Sequence, residues 1–268
     1  MLDTNLNPDL IFIKLGGSLI TDKDRAETAD FAMLADLLAE ISRIRGKHPN
    51  LKLLLGHGSG SFGHHAARLA GTRNGVFTPA DWQGYQKVWA SARRLNQIVV
   101  EACLQAQLPV LSFPPSASVV TDQHEIQSWE LAPLRSALSN GLIPLVYGDV
   151  VIDRALGGTI LSTEDLFFHL ALVLKPAKIL LAGEEEAVFA DFPLNQQPLP
   201  FLSKDADNAD FLQGSASLDV TGGMLSKVQL MQSLCRRLPG MKAVIFSGRK
   251  PRNLADCLDG MIIGTTIG

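Results

Sequence analysis

The sequence predicts an α/β fold, a three-layer α/β/α sandwich around a mostly parallel central sheet. Short apolar runs of strand length alternate with longer runs whose apolar residues recur at helical spacing. Several of the strands end in glycine-rich turns, and an open parallel sheet binds its ligands beyond the carboxyl ends of its strands. The 268 residues, 46% of them apolar, suffice for a single domain with a substantial core.

In chain order, Leu10–Leu15 reads as a strand, apolar almost throughout as a strand buried on both faces is. Phe31–Arg45 reads as a helix with Leu34, Leu37, Leu38, Ile41 and Ile44 on one face. Leu51–Leu55 is the next strand, and Trp82–Gln107 holds a long helix with Val88, Leu95, Val99 and Cys103 among its apolar positions. Pro109–Phe113 is a strand, Glu130–Asn140 a helix that stops at Gly141, and Ile143–Tyr147 a strand. Val150–Asp153 and Thr159–Ser162 flank Gly157-Gly158 as the arms of a β-hairpin. Glu164–Leu174 is a helix with Pro176 just past its end, followed by a strand at Lys178–Leu181. Glu184 to Ser203, rich in acidic residues, proline and glutamine, reads as irregular. Leu225–Arg237 is a helix, Ala243–Phe246 a strand, Asn253–Asp259 a short helix, and Met261–Ile263 the final strand.

Composition narrows the function. A net charge of −3 argues against a general nucleic-acid binder, so cations gathered in one place point to a small anionic ligand. The three cysteines, Cys103, Cys235 and Cys257, form no CxxC pair and read as small buried residues of a reducing compartment. Met1 to Asp9 lacks the pattern of a signal peptide, and the apolar stretch Leu166–Leu174 is too short to span a bilayer. A cytoplasmic protein without membrane partners is the expectation.

Two glycine-rich loops carry the chemistry. The first strand runs into Lys14-Leu15-Gly16-Gly17-Ser18, with Lys23 shortly after. The second ends in Gly56-His57-Gly58-Ser59-Gly60-Ser61-Phe62-Gly63-His64. Glycines let the backbone approach an anion and turn several N–H groups toward it, and a helix that starts there adds its dipole. Two such cradles suit more than one phosphate. Lys14 ends a buried strand, where a solvated lysine has no structural reason to be. Gly148-Asp149 lies at another strand end, and Asp219-Val220-Thr221-Gly222-Gly223-Met224, followed by Lys227, opens a helix. Taken singly, Lys23 reads as a surface residue and Thr221 to Lys227 as a capped helix start.

The succession of these motifs resembles the amino acid kinase superfamily from Ile11 to Gly264-Thr265, and within it the isopentenyl phosphate kinase family. Gly60-Ser61-Phe62-Gly63-His64 is the most specific element. The resemblance implies an amino acid kinase fold, a single domain over 1–268 with an acceptor-phosphate lobe at 1–174 and a nucleotide lobe at 175–268, and assembly as a homodimer. It implies ATP-dependent phosphorylation of isopentenyl phosphate to the diphosphate in isoprene biosynthesis. Lys14, Lys23 and Lys227 would neutralise the transferred group and the ATP phosphates, with Gly16, Gly17, Ser18, Gly183, Thr221 and Gly222 around the nucleotide. His64 would hold the acceptor phosphate, with Gly58, Ser59, Gly60, Ser61, Gly63, Gly148 and Asp149. Asp165 matches an organising aspartate, and as a helix-start carboxylate it reads equally well as a partner of the helix dipole. Mg²⁺ would ride on ATP rather than on a protein cage. Phe77, Trp82, Tyr85, Val88, Trp89 and Ile152 would line a slot for the apolar tail, or pack the long helix onto the sheet.

Ser59 stands where the family most often has glycine, Thr163-Glu164 where Gly-Asp is usual, and Leu181-Ala182-Gly183-Glu184 lacks the usual Thr-Asp. A monophosphate acceptor, with a second pKa of about 6, already presents a nucleophilic oxygen and needs no strong base. The open alternatives are a kinase for another small phosphate or phosphonate, such as fosfomycin, and a non-catalytic sensor of ATP or phosphate.

Overall fold

The structure, a computed structural model, describes residues 6–63, 71–191, 194–206 and 223–268. Its strands in chain order are β1 (Asn7–Leu15), β2 (Lys52–His57), β3 (Val110–Ser112), β4 (Val119–Asp122), β5 (Glu125–Trp129), β6 (Ile143–Tyr147), β7 (Asp149–Asp153), β8 (Gly157–Leu161), β9 (Pro176–Gly183), β10 (Phe201–Leu202), β11 (Lys242–Ser247) and β12 (Thr265–Ile267). Eight of them form one sheet in the order β10-β12-β11-β9-β1-β2-β6-β3, and β5-β4-β7-β8 form a second. In the large sheet only the β11–β12 pairing is antiparallel.

The period of two along β1 explains the layers. Leu10 and Phe12 join a core with the helices Ala132–Ser139, Thr163–Leu174 and Met224–Arg237. Ile11, Ile13 and Leu15 join the opposite core with the helices Phe31–Lys47, Pro79–Gln105 and Asn253–Leu258. Both faces of the sheet are buried, which is why its strands read as near-continuous apolar runs. β1 pairs with β2 on one side and β9 on the other, so the crossovers depart in opposite directions and leave a crevice beyond the carboxyl ends of these strands.

Local chemistry sets the helix starts. Asp30 accepts from the Met33 N–H and caps the helix carrying Leu34, Leu37, Leu38, Ile41 and Ile44, all buried as predicted. Thr78 and Asp81 form a capping box that starts the long helix at Pro79, three residues before the predicted Trp82.

Two features depart from the sequence reading. The predicted β7–β8 hairpin is present, but it belongs to the small sheet with β4 and β5, which were not foreseen. β5 is a mostly exposed polar edge, and the β4–β5 turn puts Gln123 and His124 at φ 51° and 69° without glycine. Asp153 compensates by accepting from both their N–H groups, at 3.2 and 2.9 Å. The final strand is Thr265–Ile267, not Met261–Ile263. Met261 and Ile262 are exposed, Gly264 turns the chain at φ +65°, and Thr265, Thr266 and Ile267 pair with β11, with Thr265 and Ile267 buried.

Candidate active site

The two glycine loops lie against each other. Gly16 N–H donates to Ala182 O at 2.8 Å, tying the first loop to β9, and Gly58 N–H donates to Leu15 O at 3.0 Å, tying the second to β1. Thr21 Oγ1 accepts from Ser61 N–H at 3.0 Å and donates to Gly17 O at 2.7 Å. A Cβ on Gly17 would lie 2.2 Å from Gly60 N, so contact between the loops, rather than an unusual φ, demands glycine there.

This packing decides which backbone donors remain. Gly58, Ser61, Phe62 and Gly63 spend their N–H groups on Leu15, Thr21 and Ser59, and Gly148 spends its own on His57 O. Among the described residues, the N–H groups of Gly17 and Ser18 in the first loop, and of Ser59 and Gly60 in the second, have no protein partner. The resemblance implies phosphate-binding N–H groups around Gly58, Gly60 and Gly148; of these the Gly60 N–H stays open, joined by that of Ser59, while the Gly58 and Gly148 N–H groups are spent on carbonyls.

Both loops open onto a cavity of about 480 Å³, the size of small-molecule sites. Its lining brings together Lys14, Gly16, Gly17, Ser18 and Lys23 with Gly58, Ser59, Gly60, Ser61 and Gly63. Gly148, Asp149, Gly183 and Lys227 complete the predicted set there. His64, Thr221 and Gly222 lie outside the described residues.

Lys14 forms a buried ion pair with Glu164. Burial by itself would raise the Glu164 pKa, but the Lys14 ammonium, aided by Lys227, holds it below the ordinary carboxyl value. Asp165 is placed differently. Its carboxylate accepts from Ser162 N–H at 2.8 Å and Ser162 Oγ–H at 2.7 Å, closing a capping box, and it does not line the cavity. Glu164, not Asp165, is the acid that meets the lysines. The spacing Ser162-x-x-Asp165 was the signal for this, since a capping box takes the third residue's carboxylate.

Asp149 is 1% exposed, and burial pushes its pKa up to about 6 despite hydrogen bonds from Ser116, Val150 and Tyr147. The segment carrying Lys23 is strapped at two points. Glu27 pairs with Arg94 and accepts from Ser91 Oγ at 2.6 Å, while Asp30 lies 3.5 Å from Arg249. Arg249 also grips Glu184 through two hydrogen bonds of 2.8 Å.

Of the six predicted tail residues, only Val88 lines the cavity, joined by Ala92, Ile160 and Leu161. Tyr85 and Trp89 pack against the small Val88–Val150–Ile160 cluster. Phe77, Trp82 and Ile152 are 67%, 41% and 44% exposed. At the other end, Glu184, Glu185, Ala187, Phe189 and Asn195 form walls that sequence reasoning missed, because they come from an irregular segment with no periodic signal, and Met224 from the first turn of its helix joins them.

With this geometry in place, comparison with known proteins is specific. The model of the amino acid kinase family matches residues 9–247. The chain is 30% identical over 268 residues to an isopentenyl phosphate kinase of Methanocaldococcus jannaschii, covering 96% of this chain and 98% of the relative. It is 33% identical over 261 residues to one of Haloferax volcanii, again covering 96% and 98%. A solved structure described as isopentenyl phosphate kinase superimposes with a TM-score of 0.82 at 28% identity, over 97% of this chain and all of that one.

Proposed function

The chain belongs to the amino acid kinase family, and we propose that it transfers the γ-phosphoryl group of ATP to isopentenyl phosphate, giving isopentenyl diphosphate and ADP. One observation carries this reading. Two phosphate cradles touch each other, with Lys14, Lys23 and Lys227 at one cavity and an apolar wall of Val88, Ala92, Ile160 and Leu161 beside the second cradle. That wall suits a short hydrocarbon tail on a phosphate.

An acceptor phosphate oxygen attacks the γ-phosphorus, and the bond from that phosphorus to the β,γ-bridging oxygen breaks, leaving ADP. Positioning and charge stabilisation do most of the work in such a transfer. The Gly17 and Ser18 N–H groups and Lys14, Lys23 and Lys227 receive the ATP phosphates and the group in flight. The Ser59 and Gly60 N–H groups, with His64, receive the acceptor phosphate. Glu164 keeps Lys14 aimed at the transfer point. Gly183, Thr221 and Gly222 serve the nucleotide, and Asp149 closes the acceptor side.

The division into an acceptor part, 1–174, and a nucleotide part, 175–268, of a single domain belongs to this proposal. The β1–β9 pairing that unites the two parts in one sheet supports it. A homodimer, a cytoplasmic location and Mg²⁺ carried by ATP are proposed with it, from the resemblance. Among the described residues, no group of three His, Cys, Asp or Glu side chains could hold a metal. No helix among them is long and apolar enough to cross a membrane.

The test is ADP formation with a panel of acceptors. Isopentenyl phosphate is expected to support turnover far faster than fosfomycin or acetylglutamate, and equal or zero turnover on all three rejects the assignment.

A further inference from the structure

We propose that His57 is a positioning residue for the acceptor phosphate: carrying its hydrogen on Nδ1, it holds the Gly58–Ser59 peptide so that the Ser59 N–H faces that phosphate. The inference rests on the acceptor reading of the second glycine loop.

His57 ends β2 and is 1% exposed. Its main-chain oxygen accepts from Thr163 Oγ1 at 2.6 Å and from Gly148 N–H at 3.3 Å. Its ring stacks on Tyr147 of the neighbouring strand, with centroids 5.3 Å apart and planes 4° from parallel. Backbone and ring are thus both held, at the place where three segments of the site meet.

The ring nitrogens have different partners. Nδ1 lies 3.1 Å from Gly58 O, and Nε2 lies 3.4 Å from Asn96 Oδ1. A carbonyl oxygen can only accept, so Nδ1 must carry a hydrogen. Burial, joined by the Lys14 charge, pushes the ring's pKa down to about 4, which the contacts with Gly58 and Asn96 oppose only in part. At neutral pH the ring has a single N–H, and Nε2 is an acceptor.

A neutral ring that donates through Nδ1 cannot also donate to Asn96 Oδ1, so the Asn96 amide is exchanged end for end from the orientation in which its Nδ2 donates to Ser112 Oγ at 3.0 Å, putting NH₂ toward Nε2 and oxygen toward the Ser112 hydroxyl. The two ends of an amide have nearly the same shape, and the hydrogen-bond network decides which faces which partner. The Gly58 carbonyl thus selects the His57 tautomer, and Asn96 with Ser112, whose hydroxyl can donate or accept, accommodates it.

The consequence passes through one peptide plane. In a trans peptide the C=O and the following N–H point in opposite directions. Gly58 O turned toward the ring sends the Ser59 N–H the other way, and Ser59 lines the cavity. The Ser59 hydroxyl is already engaged with Gly148 O at 3.2 Å, which anchors the same residue from its side chain. His57 therefore sets the direction of one of the two donors that the second loop keeps.

The first measurement is ¹⁵N NMR of histidine-labelled wild-type protein at pH 7, with the signal assigned through His57→Asn. The Nδ1–H tautomer is expected, and an Nε2–H tautomer overturns the proposal without reference to any substrate. The second is steady-state kinetics. His57→Asn retains an N–H donor near the Nδ1 position, whereas His57→Leu fills the space without one. The Leu variant is expected to raise KM for isopentenyl phosphate about tenfold, the Asn variant less than about threefold, with KM for ATP unchanged in both. Equal losses in the two variants, or equal rises for both substrates, also overturn it. A wild-type enzyme inactive on isopentenyl phosphate sinks the acceptor reading and this proposal together. An active one with the wrong tautomer sinks this proposal alone.

Discussion

Lys14 and Glu164, separated by 150 positions in the chain, form a buried ion pair at the floor of the cavity. Lys14 comes from the end of β1 and Glu164 from the first turn of the Thr163–Leu174 helix. The pair holds a cation beside both cradles without leaving either charge unpartnered in a dry site.

Replacing Glu164 with Gln removes the carboxylate from this buried pair, and breaking a buried pair in this way costs about 3–5 kcal/mol. The folded-state pKa of Glu164 is depressed, so its contribution to stability is present above the ordinary carboxyl value of 4.5 and lost as pH falls through the depressed one. Denaturant unfolding across pH is expected to show this acid-side loss in the wild type and a smaller one in Glu164→Gln. Matching profiles would remove the pair from the stability account.

Asp149 gives the opposite sign. Its folded-state pKa, about 6, lies above the ordinary 3.8, so the folded protein binds the extra proton and stability falls as pH rises between those values. Asp149→Asn is expected to be more stable than the wild type at pH 8, by up to about 3 kcal/mol. The advantage should vanish near pH 4, and an advantage independent of pH would contradict the assignment.

Gly17→Ala places a methyl group 2.2 Å from Gly60 N. The loops must separate, at a stability cost of about 1–3 kcal/mol. Because the same loops align donor and acceptor, kcat should fall by more than about tenfold. A Tm scan with steady-state kinetics checks both, and normal turnover would show that the loop contact is dispensable.

The tail wall separates two groups of residues. Ile160→Ala, inside the cavity, is expected to weaken use of isopentenyl phosphate by about tenfold, the scale of a lost hydrophobic contact in a pocket. Phe77→Ala and Ile152→Ala, on exposed residues outside the lining, should change KM less than about twofold. The reverse pattern would move the tail to the outer surface.

His64→Ala is expected to lower kcat/KM for isopentenyl phosphate by at least about tenfold, as the loss of a donor that stabilises transition-state charge does. An unchanged value would strip His64 of that role.

The sequence by itself determined the layered α/β architecture, because strands buried on both faces and helices buried on one leave distinct periodicities, as Leu10–Leu15 and Leu34–Ile44 do. It also picked out Lys14, both glycine loops and Gly148-Asp149, because a cation or a glycine at a strand end has few structural reasons to be there. Tertiary structure alone decided which groups are left to act. Gly58 and Gly148 lose their N–H groups to neighbouring carbonyls, and Glu164 receives Lys14. It also chose Thr265–Ile267 over Met261–Ile263 as the last strand, and Ile160 over Ile152 for the cavity wall. Composition and spacing register what a residue can do, whereas hydrogen bonds and contacts between distant segments determine which of its groups remain unspent.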